Sequence, residues 1–137
     1  KPGPYANDES PVIRKWMVTA SEAGAPGEKE SWRSVYSLVN GILPNDDMGG
    51  GKIIFARGFL EVQAPGPVRL KINELAGIRL WLDEKEIKNP LSDIEVTQGT
   101  HSFTFSIDKT KRKSDGLRVE LIALLKSKAK FQPKGGS

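Results

Sequence analysis

The chain has 137 residues, of which 37% are hydrophobic and 28% are charged, and its formal net charge is +4. That length supports one domain with a sizeable core but not two. The absence of cysteine excludes disulfides, thiolate metal sites and cysteine nucleophiles. No apolar run approaches the roughly 18 residues that a membrane span needs, so no span is expected.

Positive charge is concentrated towards the C-terminal end. From Lys109 onward nine lysines and arginines stand against Asp115 and Glu120, a net charge of +7, and the rest of the chain carries −3. This asymmetry is a candidate electrostatic feature. The 14 glycines and 9 prolines are typical of an all-β domain with many turns.

Residues 1–31 are predicted to form an extended lead-in, a first strand and a mobile loop. The lead-in contains three prolines, the strand covers residues 12–19 around Trp16, and residues 20–31 have the composition of a loop. Residues 32–40 are aromatic and β-branched, which favours a second strand. Residues 52–63 favour another strand over a helix, with a bulge at Gly58.

Three apolar–polar alternations then follow, at residues 68–73, 78–83 and 101–108. Since successive side chains of a strand point to opposite faces, this period indicates half-buried strands with one solvated face. The short segment 74–77 predicts a hairpin between the first two of them.

The rest of the chain completes an all-β pattern. Short strands are predicted at 86–88 and 91–96. Residues 117–125 alternate first and then become continuously apolar, as in a strand covered on both faces. About eight or nine short strands separated by turns predict an antiparallel β-sandwich of jelly-roll or Greek-key type. Its core is expected at residues 32–125, and residues 126–137 form a basic tail that could add an edge strand near Lys130.

Trp81 is the first candidate for ligand binding. Ile78, Leu80 and Leu82 share one face of their strand, so Trp81 is expected on the opposite face with Arg79 and Asp83. An exposed indole there would suit stacking on a sugar ring. The alternative is that Trp81 packs beneath the loop 20–31. Trp16 and Trp32 are weaker candidates for the same role.

His101 is the single histidine of the chain. It could shuttle protons or bind a metal, but it begins an alternating strand on the face of Phe103 and Phe105. A packed, hydrogen-bonded residue at the end of the sandwich is therefore the favoured interpretation. No partner stands at the spacing of a catalytic triad, and no enzyme activity or cofactor is expected.

Candidate metal ligands are weak. Asp46 and Asp47 stand beside glycines and could offer oxygens to calcium, but their spacing matches no specific calcium loop. Residues 49–52 lack the full spacing of a phosphate loop. Carboxylate pairs such as Asp83 with Glu84, or Glu74 with Glu86, could in principle act as acid and base in the manner of glycosidases, but they lie in turns that need polar residues in any case.

A basic segment offers a possible polyanion site. Its candidates are Lys109, Lys111, Arg112 and Lys113, which could bind an acidic polymer by counterion release. Few aromatic residues accompany them, so a nucleic-acid partner is not expected, and a solvated loop is the simpler interpretation.

Several segments resemble a module of large exported proteins of planctomycetes and related bacteria. The resemblance runs through residues 32–44 (WRSVYSLVNGILP), 66–73, 77–83, 99–108, 117–121 and 132–136. Those proteins often carry a haem-binding Cys-x-x-Cys-His segment or a sugar-dehydrogenase-like propeller elsewhere in the chain. The resemblance implies an accessory module located in the periplasm or at the cell surface, with any haem held outside it.

The segment 77–83 (GIRLWLD) also resembles the carbohydrate-binding β-sandwich of the anthrax protective-antigen type. In the sugar-binding members two adjacent aspartates on the preceding turn hold calcium. Asn73 and Glu74 occupy those positions here, and Glu84 replaces a glycine of the next turn. This departure weakens the calcium-dependent mechanism that the resemblance implies.

The expected function is therefore a non-catalytic, carbohydrate-binding-like accessory module with Trp81, Arg79 and Asp83 as its first patch. One alternative is a docking module that positions a haem or dehydrogenase domain, and it predicts a contiguous apolar surface. Polyanion binding through the basic segment is a second alternative. The expected partners are a glycan or other domains of the same parent protein.

Overall fold

The computed structural model describes residues 11–20, 32–49, 52–123 and 130–133. Strands account for 61% and helices for 7%, and no helix in the described part reaches 7 residues. The prediction of an all-β antiparallel sandwich is confirmed. The loop predicted at 20–31 lies, apart from Ala20, outside the described residues.

The strands of the described part range in length from 2 to 12 residues. Two 3-10 turns, Asn45–Met48 and Lys109–Lys111, interrupt them. The strands are β1 Lys15–Ala20, β2 Arg33–Tyr36, β3 Leu43–Pro44, β4 Ile53–Ala64, β5 Gly66–Ile72, β6 Ile78–Leu82, β7 Lys85–Ile87, β8 Ile94–Val96, β9 Gly99–Asp108, β10 Gly116–Leu117, β11 Val119–Ala123 and β12 Lys130–Pro133.

The larger sheet has seven strands in the order β2-β1-β4-β9-β6-β7, with β12 also on β4. Strand β9 pairs with β4 along residues 53–62. The other edge of β4 is shared, because β1 pairs with residues 54–57 and β12 with residues 60–64. The edge strand predicted near Lys130 is thus present as β12.

The smaller sheet has the order β11-β5-β8, and a β10–β3 pair lies apart from it. Residues 11–13 run along the free side of β11: the Ile13 N–H donates to the Val119 carbonyl at 3.0 Å, and the Leu121 N–H donates to the Pro11 carbonyl at 2.8 Å. Because β1 belongs to the larger sheet, this segment joins the two layers immediately before Trp16.

Alternating side chains of both sheets form one core. Phe103, Phe105 and Ile107 of β9 are wholly buried, together with Leu121 of the smaller sheet. Trp16 meets Phe105 edge to face, with ring centroids 5.7 Å apart. The alternation at 101–108 therefore predicted the inward face of β9 correctly. The prediction that its other face is solvated is wrong, because Thr104 and Ser106 are buried as well.

The predicted hairpin between residues 68–73 and 78–83 is wrong. Strand β5 pairs with β11 and β8, whereas β6 pairs with β9 and β7. The segment 74–77 carries the chain from one sheet to the other. The alternation shows which side chains share a face but not which strand is the neighbour. Two strands give the same pattern whether they pair in one sheet or lie in different sheets.

The predicted bulge at Gly58 is also wrong. The β4–β9 register runs without a break through the Gly58–Phe103 pair. A Cβ at Gly58 would come 2.7 Å from Ile13 Cγ2, so the glycine makes room for the chain that crosses the sheet. The register shift lies instead between Lys130 and Phe131 of β12, against β4.

Candidate functional site

Trp81 lies on the face of the larger sheet that points away from the core, but it is not exposed. Only 5% of its surface is accessible, and its ring meets the wholly buried Phe55 edge to face at 6.2 Å. The expectation of an exposed indole platform is therefore wrong. A face opposite the core need not be solvated when an aromatic neighbour covers it.

Arg79 also covers the Trp81 ring. Its guanidinium carbon lies 4.8 Å from the ring centroid, a cation–π contact. The same guanidinium forms a bidentate ion pair with Glu86, with Nε–Oε2 at 3.1 Å and Nη2–Oε1 at 3.2 Å. The hydrogen bond from Arg79 lowers the pKa of Glu86 below its ordinary value. Arg79 is thus held over the indole.

A second tryptophan on this face has the same kind of cover. The Arg57 guanidinium lies 4.4 Å from the Trp32 ring centroid, and its Nε donates to the Thr104 hydroxyl at 2.8 Å. Thr104 is wholly buried. We call Trp32, Phe55, Arg57, Arg79, Trp81 and Thr104 the outer-face cluster. A guanidinium group therefore lies over one face of each of the two indoles.

Asp83 lies apart from Trp81 and Arg79. It takes a left-handed backbone with φ 55°, which breaks the alternation of β6 and turns its carboxylate towards β9. Its Oδ1 accepts the Ser102 N–H at 2.9 Å, and its Oδ2 lies 2.7 Å from His101 Nδ1. The predicted patch of three residues is therefore split between two places.

His101 is hydrogen-bonded through both ring nitrogens. Its Nε2 lies 2.8 Å from the Thr97 carbonyl and 3.1 Å from the Thr97 hydroxyl, and 13% of its side chain is exposed. The order Thr97–His101–Asp83 superficially matches the nucleophile–histidine–carboxylate order of a catalytic triad. A carbonyl can only accept, however, so Nε2 acts as a donor there and not as a base.

Asn73 and Glu74 direct their oxygens at N–H groups of the neighbouring loop. The Glu74 carboxylate accepts the Lys113 and Ser114 N–H groups and the Ser114 hydroxyl at 2.7–3.1 Å, and these bonds lower its pKa to about 2. Asn73 Oδ1 accepts the Arg118 N–H at 2.9 Å. These groups connect two segments of the chain, a use that competes with binding a cation.

Asp46 and Asp47 are exposed in the first 3-10 turn. The main-chain carbonyl of Asp47 accepts Arg33 Nη2 at 2.7 Å. Within the described ranges, no three histidine or acidic side chains come together in a way that could hold a metal ion.

The four basic candidates have different surroundings. The expectation that Arg112 binds a polyanion is wrong. Its side chain is wholly inaccessible and donates to the carbonyls of Glu74, Ala76 and Gly116 at 2.6–3.0 Å. Burial lowers its pKa. Lys109 Nζ donates to the Gly49 carbonyl at 2.7 Å, while Lys111 and Lys113 are exposed. Arg112 therefore cannot contact a polyanion in this fold.

An exposed apolar turn follows β2 and was not predicted from the sequence. Tyr36 is 57% exposed, Leu38 51% and Val39 94%, and we call these three residues the apolar tip. Their composition resembles that of a strand. The turn itself is marked by Asn40-Gly41, where Gly41 has φ 89° and Asn40 Oδ1 accepts the Ile42 N–H at 3.0 Å.

Two arginines from other elements fix the backbone of this turn. Arg14 Nη1 donates to the carbonyls of Leu38 and Val39 at 3.2 and 3.0 Å, and Arg118 Nε donates to the Asn40 carbonyl at 3.0 Å. The Gly41 N–H closes the turn on the Leu38 carbonyl at 2.8 Å. The apolar tip is therefore presented by a well-bonded backbone.

A comparison with protein-family models and with curated proteins finds no match to this chain. The resemblance to exported planctomycete modules stays a prediction. In the described part of the chain, no helix combines the length and apolarity needed to cross a membrane.

Proposed function

We propose that this chain is a non-catalytic docking module that binds another folded protein domain through the apolar tip. One observation carries the proposal: Tyr36, Leu38 and Val39 expose apolar side chains within four consecutive residues. The other exposed large apolar residues of the described part, Ile53, Leu75 and Leu91, are scattered along the chain. Contiguous exposed apolar surface is typical of protein interaction sites, whereas single exposed residues are ordinary.

The fixed backbone supports the same function. Binding costs less conformational entropy when the contacting segment is already ordered. Arg14 and Arg118 hold three successive carbonyls of the turn, so the tip needs little reorganisation on docking. Val39, at its end, has the exposure of a side chain that could enter a pocket.

Charge around the tip indicates the chemistry of the partner. Arg33 is the sole charged residue in the segment 32–44, and Lys15 lies opposite Tyr36 in the β1–β2 ladder. Arg14 adds a third positive charge at the base of the turn. The partner is therefore expected to offer an apolar pocket with carboxylates at its rim.

A docking role agrees better with the geometry than sugar binding by Trp81, Arg79 and Asp83. The indole is covered and Asp83 is bonded to another strand. Location outside the cytoplasm and attachment to a larger parent protein rest on the resemblance and belong to the same proposal. The partner would then be another domain of that parent.

The test compares two matched variants. Val39→Asp places a charge at the apolar tip, and Leu91→Asp places one at an isolated residue that is 57% exposed. Affinity for the remainder of the parent protein, produced without this chain, is measured by calorimetry. Val39→Asp should weaken binding by about tenfold or more, since central apolar contacts contribute most of the interface energy.

The control and the unfolding transition make the result interpretable. Leu91→Asp should bind like the wild type, and both variants should unfold at wild-type denaturant concentrations because their side chains are exposed. Equal binding by all three proteins would contradict the proposal. Loss of self-association in Val39→Asp would identify a second copy of this chain as the partner instead, and would also contradict it.

A further inference from the structure

His101 joins two turns at one end of the sandwich. Asp83 follows β6 in the larger sheet, and Thr97 follows β8 in the smaller sheet. His101 Nδ1 lies 2.7 Å from Asp83 Oδ2, and Nε2 lies 2.8 Å from the Thr97 carbonyl. We call Asp83, Thr97 and His101 the His101 clasp. It connects the two sheets independently of the core.

Both bonds need a proton on the ring. A carboxylate and a carbonyl can only accept, so each ring nitrogen must donate for both bonds to form at once. The imidazolium is the form that carries two N–H groups. The geometry of the clasp is therefore that of the protonated histidine.

The charged groups around the ring are consistent with this state. Asp83 is the charged residue in contact with His101. Leu60 faces His101 across the β4–β9 ladder, while the neighbouring Glu61 accepts the Thr100 hydroxyl at 2.8 Å. Hydrogen bonds from Asp83 and Thr97 raise the pKa of His101 against the effect of burial. Glu84, Lys85 and Glu95, which lie beside these turns, are exposed. The partly buried Glu86 of β7 is paired with Arg79 and Lys88.

We propose that the His101 clasp is a pH-sensitive latch that holds the β8–β9 connection closed and releases it when the imidazolium loses its proton. Loss of the Nε2 proton would place its lone pair opposite the Thr97 carbonyl, two acceptors 2.8 Å apart. The Thr97 hydroxyl, 3.1 Å from Nε2, can then donate to the ring, but only after the carbonyl moves away.

The connection has the freedom to make that movement. Thr97 and Gln98 are exposed, and Gly99 has φ 122° with nothing within 4 Å of a Cβ placed there. Strand β8 has 3 residues and pairs on one side with β5. Release at Thr97 therefore acts on the exposed turn of Thr97 and Gln98, while Ile94 and Val96 keep β8 anchored in the core.

The sign of the effect follows from the direction of the shift. Because the pKa of His101 is raised above its ordinary 6.5, the stabilising effect of the clasp is complete below that value and is lost as the pH rises through the raised pKa. The ratio of the closed to the open form should change about tenfold for each unit by which the ring pKa exceeds the ordinary one.

NMR titration of the wild-type chain tests the latch. The His101 ring signals should report a pKa above 6.5, and the amide signals of residues 97–99 should shift with the same midpoint. Amide exchange of residues 96–99, corrected for intrinsic pH dependence, should quicken across that midpoint. A ring that titrates while residues 97–99 keep their shifts and exchange rates would overturn the proposal.

Two variants separate the latch from a merely structural role. Asp83→Asn keeps an acceptor but removes the charge, and it should move the midpoint towards 6.5 for the ring and for residues 97–99 alike. His101→Gln cannot titrate, and its residues 97–99 should show no transition. A transition that persists in His101→Gln would overturn the proposal, and the wild-type titration decides the question if that variant does not fold.

Discussion

At the scale of single residues, buried polar groups hold the crossing between the sheets. Arg112 is wholly inaccessible and donates to three main-chain carbonyls, two of them in the segment 74–77. In the opposite direction, the Glu74 carboxylate of the crossing accepts hydrogen bonds from the N–H groups of residues 113 and 114. The two side chains lie 3.9 Å apart and together bind the charged loop to the crossing. Residues that looked like polyanion and metal candidates therefore hold the fold together.

Glu74→Gln tests this role through its pH dependence. The pKa of Glu74 is lowered from 4.5 to about 2, so its stabilising effect is present above pH 4.5 and is lost as the pH falls towards 2. The variant should be less stable than the wild type at neutral pH, and the difference should shrink through that acid range. Urea unfolding at several pH values measures it.

A second carboxylate provides the control for that experiment. Glu95→Gln changes an exposed residue of β8 and should leave the acid dependence of stability unchanged. If Glu74→Gln kept the wild-type curve from pH 7 down to the acid limit, the bonds to residues 113 and 114 would not be stabilising.

At the scale of the elements, β4 organises the larger sheet. It pairs with β9 on one edge and with β1 and β12 on the other. Its outer face carries the buried Phe55, and its inner face carries Gly58, over which Ile13 packs. This strand is therefore covered on both faces near its middle.

Gly58→Ala tests the close approach. The new methyl group would lie 2.7 Å from Ile13 Cγ2 and 3.5 Å from the Trp16 ring. Since Ile13 is 1% exposed and cannot move into solvent, the free energy of unfolding should fall by about 1–3 kcal/mol. Chemical denaturation measures the change. In an Ile13→Ala background the same substitution should cost less; an equal cost would show that the contact is not the cause.

The elements also show what could be predicted from the residues. The inward face of β9 followed from Phe103, Phe105 and Ile107, because the period of a strand is local. Strand partners are set by distant residues, which is why the predicted β5–β6 hairpin was wrong. Phe55, on the face of β4 opposite Ile54, was the available signal that this face is covered. It would have argued against an exposed Trp81.

The candidate site residues were predictable only where local geometry follows the strand period. Asp83 left the Trp81 patch because of one left-handed residue, which no alternation reveals. His101 was correctly expected to be hydrogen-bonded at the end of the sandwich. The apolar tip could not be predicted from the sequence, because its residue types are those of a strand. The turn that exposes them is fixed by arginines from distant parts of the chain.

At the scale of the whole molecule, the sandwich separates a covered sheet face from an exposed tip. The outer-face cluster closes the surface around Trp81 with guanidinium groups, while Tyr36, Leu38 and Val39 remain accessible. A rigid scaffold that presents a short apolar segment is well suited to docking. Binding of a partner domain is therefore expected at the apolar tip and not at β6.

Hydrogen exchange of the chain, alone and mixed with the other domains of the proposed parent protein, tests the proposed binding surface. We expect protection on mixing in residues 36–42 and in the adjoining β1, with the exchange of β6 unchanged. Protection confined to β6 and its neighbours, with residues 36–42 exchanging as in the chain alone, would contradict docking through the apolar tip.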